Sequence, residues 1–181
     1  MLTTMMDLSF LAFSAFTLFV IHEFEEIIRC RPWIHKHKPE SRYANDMWIR
    51  NQRAYPSTET IAVMILEEIV LAASILLISA SLNCPAPVFA VTLGNSIHLA
   101  GHIVSAIISR AWNPGSVTAA VTLPLNVVIL MLLITGTTSK GTNTAISFTI
   151  TSLVVFVALA ANLALLHRIA PRIHAHIHGR A

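Results

Sequence analysis

The sequence predicts an all-α membrane protein, a single polytopic bundle of about five transmembrane helices. Only 12% of its 181 residues are charged, about half the roughly 25% typical of soluble domains. Hydrophobic residues make up 55% of the chain, and the mean hydropathy is +0.68. This composition excludes a disordered chain and a nucleic-acid-binding protein, because both carry far more charge.

Five apolar runs approach the roughly 20 residues that a helix needs to cross the hydrocarbon core of a bilayer. These predicted spans cover residues 8–28, 58–81, 87–109, 116–136 and 144–167. A polar loop fills residues 29–57, and a basic, His-rich tail fills 168–181 after the membrane domain of 1–167. The first run does not resemble a cleavable signal peptide, because Asp7 and no Lys or Arg precedes it and it ends in HEFEE instead of small residues.

The basic residues predict the orientation of the bundle. If the long loop is cytoplasmic, Lys140 is the only one of the 12 Lys and Arg residues on the outer side. Because cytoplasmic loops carry the excess of positive charge, we expect the N-terminus outside and the C-terminus inside.

Two of the connections have local signals of their own. The long loop has four aromatic residues, expected to anchor it at the headgroups on a short amphipathic helix from Ser41 to Arg53: Trp33, Tyr43, Trp48 and Tyr55. Such a loop would form a structural collar. Between the third and fourth spans, the sequence Asn113-Pro114-Gly115 predicts a turn.

Ionisable residues inside three of the spans carry the functional information. On an insertion scale, a charged side chain at the centre of a lipid-facing helix costs about 2.5 to 3.5 kcal/mol. We therefore expect these groups to face protein, water or a metal ion. They are His22, Glu23, Glu25 and Glu26 in the first span, Glu67 and Glu68 in the second, and His98 and His102, preceded by the polar Asn95, in the third.

The spacing of these residues allows them to converge. His22 precedes Glu25 and Glu26 by three and four residues, and His98 precedes His102 by four, so each set shares one helix face. Counted from the cytoplasmic helix ends, all lie within about one and a half turns of one another in depth. The sequence thus predicts one site in the cytoplasmic half of the bundle. Glu23 points about 100° away from His22 and is expected outside the ligand set.

Imidazole and carboxylate groups together suit zinc, iron or manganese. Seven candidate ligands exceed the needs of one tetrahedral ion and are typical of the carboxylate-bridged two-metal sites in helical bundles. The sequence therefore predicts two divalent transition-metal ions, zinc or iron, bound by His22, Glu25, Glu26, Glu67, Glu68, His98 and His102. Asn95, one turn before His98, is expected to hydrogen-bond a ligand. In the alternative without metal, the same groups pair as imidazolium and carboxylate.

Four segments carry a family resemblance: HEFEE at 22–26, ILEEIV at 65–70, NSIHLAGHI at 95–103 and NPGSVTA at 113–119. In this order they resemble the HXXEE domain family of small bacterial integral membrane proteins, over roughly residues 8–136. The resemblance implies a multi-pass protein of the bacterial inner membrane, with His22, Glu25 and Glu26 as signature residues. It implies no activity.

The site favours a metal-dependent hydrolase. A bound ion activates water and polarises a carbonyl group, and a glutamate that does not bind the ion moves the proton. Glu25 or Glu68 is the expected base, because the sequence HLAGH has the spacing of zinc-protease helices but lacks the Glu of HExxH. A substrate that enters from the lipid bilayer would be a lipophilic small molecule or a hydrophobic peptide.

Two other functions use the same residues. A di-iron oxidase or oxygenase also has mixed Glu and His ligation in a helix bundle. A divalent-metal transporter or sensor is the third hypothesis, since polar groups at membrane depth often mark ion pathways. In it, His174, His176 and His178 of the tail would collect metal, and a homodimer would compensate for the small number of spans. A solvated tail is the simpler interpretation of these histidines.

Overall fold

The computed structural model describes residues 8–138 and 142–179, and within these residues it contains helices and no strands. The helices are α1 (Leu8–His37), α2 (Met47–Arg50), α3 (Thr58–Ser81), α4 (Pro85–Ser109), α5 (Ser116–Thr138) and α6 (Thr142–Ile177), with short 3-10 turns at Ser41–Tyr43 and Gln52–Ala54. All except α2 are long and apolar enough to cross a membrane. The predicted class, an all-α bundle with five membrane spans, is confirmed.

Two helices extend well beyond the apolar runs that predicted them. α1 continues to His37 through the start of the predicted polar loop, and α6 continues to Ile177 through most of the predicted tail. Both extensions end with basic residues in the last turn. Positive charges at this position interact favourably with the negative end of the helix dipole and so stabilise the helix. Hydropathy therefore marks the apolar part of each helix and not its end. Lys140 and Arg180 lie outside the described residues.

The outer surface of the bundle is apolar. Many large side chains face outward, for example Phe13 at 69% exposed, Leu77 at 70% and Ile107 at 70%. A water-soluble monomer seldom exposes so much contiguous apolar surface, whereas lipid chains cover it at no cost.

The core is divided along the helix axes. One apolar cluster includes Leu11 and Ala15 of α1 with Leu76 of α3 and Val88 of α4. A second cluster lies further along α1, around Cys30 and Ile34, and includes Trp48 and Ile61. His22 and Glu26 lie on α1 between the residues that this helix contributes to the two clusters.

The long loop is packed into the protein more deeply than expected. Trp48 is 1% and Tyr43 2% exposed, so these two aromatics are buried instead of anchoring the loop at the headgroups. The expected helix from Ser41 to Arg53 is broken into short pieces, because the Asp46 side chain accepts hydrogen bonds from the N–H groups of Trp48 and Ile49 and so begins a new helix there.

The loop, the α4–α5 turn and the last part of α6 lie together at one end of the bundle. The Asn113 amide donates to Asp46 Oδ2 at 2.9 Å, which joins the turn to the loop. His167 of α6 donates from Nδ1 to the Leu163 carbonyl at 2.8 Å, so in the neutral ring Nε2 accepts from the Tyr55 hydroxyl at 3.1 Å. The basic segments that predict the cytoplasmic side therefore share one end of the molecule.

Cysteine labelling tests the orientation. Cys30 is fully buried, so only Cys84 needs replacement by Ala before single cysteines are introduced as Lys38→Cys and Ser81→Cys. In intact cells a membrane-impermeant maleimide should label only Ser81→Cys, because positive-inside topology puts Lys38 in the cytoplasm. Lys38→Cys should react after permeabilisation. Labelling of Lys38→Cys alone in intact cells would contradict the orientation.

Candidate functional site

Three imidazoles and one carboxylate converge where α1 packs against α4. One donor atom each from His22, Glu26, His98 and His102 lies within 4.8 Å of the other three. Glu26 Oε1 is 3.3 Å from Nε2 of His22, 3.0 Å from Nε2 of His98 and 2.8 Å from Nε2 of His102. The i, i+4 spacing within each helix places each pair on one face, and the packing of the two helices brings the faces together.

The site is closed on one side and open on the other. His22 and His102 are completely buried, and the Glu26 residue is only 6% exposed. The side chain of His98 is 33% exposed and borders a cavity. His98 is thus the one member of the group that a ligand in this cavity can reach.

The backbone of the α4–α5 turn fixes the orientation of His102. Its Nδ1 lies 3.0 Å from the carbonyl oxygen of Pro114. A carbonyl oxygen only accepts, so Nδ1 carries the hydrogen and, in the neutral ring, Nε2 presents a lone pair to the site. The same oxygen accepts a second hydrogen bond from Trp48 Nε1 at 3.1 Å, which links this arrangement to the loop.

His22 is oriented in the same way by a side chain of α5. Its Nδ1 lies 3.0 Å from Thr118 Oγ1, whose own hydrogen goes to an oxygen that only accepts, Glu25 Oε2 at 2.6 Å or Gly115 O at 3.3 Å. The hydroxyl oxygen must then accept from His22 Nδ1–H, which leaves the lone pair of Nε2 facing Glu26. Within the described residues His22 Nε2 has no hydrogen-bond partner of good geometry.

Two imidazole lone pairs and a carboxylate therefore meet in a buried space. Such electron-rich atoms repel one another unless a proton or a metal ion lies among them. Adjacent donors in a tetrahedral zinc site lie roughly 3.3 Å apart, given bonds of about 2.0 to 2.1 Å. The separations of 2.8 to 3.3 Å to Glu26 Oε1 are close to that value. The widest separation among the four donor atoms reaches 4.8 Å, so an ion bound here would draw the imidazoles closer together. The donor types suit a small divalent ion, and hydrogen bonds from ligand Nδ1 atoms to oxygen are typical of metal-bound histidines.

Glu25, a predicted ligand and base, lies outside this group. Its Oε2 accepts hydrogen bonds from both the backbone N–H and the hydroxyl of Thr118, at 2.8 and 2.6 Å. Its Oε1 pairs with Arg29, whose other nitrogen donates to the carbonyl of Trp112 at 2.8 Å. Glu25 holds Thr118 in place and so positions His22.

The remaining predicted residues lie around the cavity or away from the group. Glu67 accepts from the amide of Asn162 at 3.1 Å on the exposed side of α3. Glu68 and the buried Asn95 line the same cavity as His98. So does Glu23, which is 3% exposed. The structure thus gathers His22, Glu26, His98 and His102, with Glu68 and Asn95 bordering the adjacent cavity.

Sequence reasoning missed the residues that hold the α4–α5 turn. Asp46, 1% exposed, accepts at Oδ2 from Ser109 at 2.8 Å and from Asn113 at 2.9 Å. Asn113 also donates to Ser105 at 2.8 Å. The position of Asp46 just before a short apolar segment is a helix N-cap signal, but its contacts with a turn more than 60 residues later have no local signature.

The backbone of Gly115 lies against two of the histidines. It has a φ of +82°, and a Cβ at this position would lie 2.6 Å from His102 Nδ1 and 3.0 Å from His22 Cε1. Only glycine fits both the conformation and the space. The sequence predicted a turn that includes Gly115, but it did not predict that this glycine lies against the two histidines.

Replacement of Gly115 by alanine should therefore disturb the site. We expect Gly115→Ala to lower the free energy of unfolding by about 2 to 5 kcal/mol, from the left-handed conformation together with overpacking. Gly101→Ala on α4 is the control, because nothing lies within 4 Å of its new Cβ, and helix propensity should make it neutral or up to about 1 kcal/mol stabilising. Denaturant titration in detergent measures both. Equal stability of Gly115→Ala and the parent would contradict this packing.

Comparison with known proteins identifies the family of the chain. A protein-family model, described as "Protein of unknown function with HXXEE motif", matches residues 13–129 of the chain. Curated proteins and solved structures gave no match. The matched range contains the motif itself, the two histidines of α4 and the turn that packs against them. Because it covers more than half of the sequence, the chain belongs to the HXXEE family.

Proposed function

We propose that this protein is an integral metalloprotein of the bacterial inner membrane that holds a divalent transition-metal ion at His22, Glu26, His98 and His102. We propose further that it is a metal-dependent hydrolase of a lipophilic substrate. The observation that carries the proposal is the convergence of the His22 and His102 lone pairs on Glu26 in a buried space. A cation there turns mutual repulsion into coordination.

The geometry favours one ion over the two expected from the sequence. A second ion would need carboxylates that the structure engages elsewhere. Glu25 would lose three contacts, two with Thr118 and one with Arg29, and Glu67 would have to leave Asn162 on the exposed side of α3. Zinc is the best match for three imidazole nitrogens and one carboxylate, with iron the alternative. Because these four donors fill a tetrahedral ion, water would have to bind as a fifth ligand or replace one of them.

Hydrolysis needs a base and a place for the substrate beside the ion. The ion, when bound, would activate water and polarise a carbonyl group. Glu68 and His98 line the same cavity, so Glu68 is the base that the arrangement favours. Glu25, held by Thr118 and Arg29, is a positioning residue for His22.

The other two hypotheses have less support. A carboxylate-bridged di-iron centre needs several bridging carboxylates, whereas Glu26 is the one carboxylate of the group in the described residues. For a carrier, the tail histidines should be available to collect metal. Instead Nδ1 of His174 lies 3.2 Å from Thr60 Oγ1, Nδ1 of His178 lies 3.0 Å from the His174 carbonyl oxygen, and none of the three tail histidines belongs to the group.

Metal analysis tests the first part of the proposal. Protein purified with a tag that lacks histidine should contain about one zinc or iron ion per chain. His102→Ala should reduce this to near zero, because it removes a donor from a buried site and leaves the carboxylate uncompensated. His176→Ala, an exposed histidine of α6, is the matched control and should keep the metal. Two ions per chain would restore the two-metal prediction. Metal-free protein that neither zinc nor iron stabilises would support imidazolium–carboxylate pairing instead.

The role of the base is tested with two neighbouring glutamates. Glu68→Gln should keep the metal yet lower the hydrolysis of a lipophilic chromogenic ester, such as p-nitrophenyl octanoate, by at least about a hundredfold. Glu67→Gln, which faces Asn162, should keep both metal and rate. Loss of metal in Glu68→Gln would make Glu68 a ligand, and an unchanged rate would place the base elsewhere.

A further inference from the structure

A cavity of about 270 Å³ lies between α1, α3, α4 and α6, next to His98. Most of its wall is apolar, with Phe19, Leu71, Val91, Phe156, Leu159 and Leu163 from the four helices. Ile97, which also lines it, is 55% exposed on the apolar outer surface. An alkyl chain from the bilayer suits such a space better than a water-soluble metabolite does.

Asn95 marks the polar end of this cavity. The residue is 7% exposed, and neither Oδ1 nor Nδ2 has a hydrogen-bond partner in the part of the chain that the structure describes. An unpaired buried amide is costly, so a ligand that pairs with it gains affinity. Asn95 offers one acceptor and a pair of donors, and a ligand amide can satisfy both kinds of group. An ester only accepts, and an ammonium group only donates.

Two carboxyl groups border the same space. Glu23 is 3% exposed, and both it and Glu68 line the cavity. A carboxyl group has oxygens that accept hydrogen bonds from N–H groups whether or not it is ionised. The N–H groups of a ligand amide therefore have further acceptors in this cavity.

We propose that the cavity binds a single-chain fatty amide, with the alkyl chain along the apolar wall and the amide group paired with Asn95. This inference rests on the proposed hydrolase and names its substrate class. Water adds to the amide carbonyl, the C–N bond breaks, and the proton that the water loses ends on the leaving nitrogen. The products are a fatty acid and ammonia or an amine.

Photo-crosslinking tests the binding directly. The full chain in phosphatidylcholine nanodiscs is labelled with a dodecanamide that carries a diazirine on its chain, and the adducts are mapped by mass spectrometry. Adducts should lie on the cavity-lining stretches of α4 and α6. Unlabelled dodecanamide should compete about tenfold better than methyl dodecanoate or dodecanoate, because only the amide satisfies both groups of Asn95. Equal competition by the three compounds would overturn the proposal.

Variants distinguish binding of the probe in the cavity from labelling of the outer surface. Gly94→Leu should abolish the adducts, because a Cβ there already lies 3.9 Å from the Phe156 ring and a larger side chain fills the space. Gly101→Leu, two turns later on α4 with nothing within 4 Å, is the matched control and should keep them. Asn95→Leu removes the unpaired polar atoms at similar volume, so it should fold and bind amide and ester equally. Adducts that persist in Gly94→Leu, or an amide preference that persists in Asn95→Leu, would contradict the assignment.

The same probe distinguishes this inference from the metal proposal. His102→Ala should still crosslink to dodecanamide while it holds no metal and hydrolyses nothing, since Asn95 and the apolar wall remain. If the parent protein binds the probe without metal or hydrolysis, the cavity assignment stands and the proposed function fails. If it holds metal and hydrolyses esters but shows no specific amide binding, the cavity assignment alone fails.

Discussion

Three imidazole nitrogens lie within 3.3 Å of one oxygen of Glu26, and most of the polar structure around α1 and α4 keeps them there. Electron-rich atoms this close repel one another unless a proton or a metal ion lies among them, so the rest of the fold must hold them together. Pro114 and Thr118 do so by fixing Nδ1 of His102 and of His22. The spacing along α1 and α4 brings the side chains together, and the α4–α5 turn with the start of α5 orients the imidazole rings.

Two lines of hydrogen bonds support that turn. In the first, Asp46 of the long loop accepts from Asn113, and Trp48 of the loop donates to the carbonyl of Pro114. Because His102 Nδ1 donates to the same carbonyl, the loop is connected to His102. The other runs from Arg29 through Glu25 to Thr118. Buried polar groups need hydrogen-bond partners, and at this end of the bundle these groups bond to one another beside His22 and His102. The loop that the sequence suggested as a collar is part of this support.

The sequence was sufficient to predict the features that depend on hydropathy and on the spacing of residues within one helix. Hydropathy predicted the five spans, and the i, i+4 spacing predicted which side chains share a face. Pattern alone did not separate Glu25 from Glu26, because both lie on the same stripe as His22. Their difference depends on how α1 is rotated against its neighbours, which turns Glu26 toward α4 and Glu25 toward Thr118 of α5. The contacts of Asp46 and Gly115 are likewise long-range and have no local signal.

The asymmetry of the site bears most directly on its chemistry. His22 and His102 are completely buried, and their Nδ1 atoms bond to the start of α5 and to the turn that Trp48 also contacts. His98 instead borders a cavity whose lining residue Ile97 is exposed on the apolar surface. A reactant would thus reach the group sideways, from the lipid. This lateral access is the feature that favours the proposed chemistry on a molecule dissolved in the bilayer.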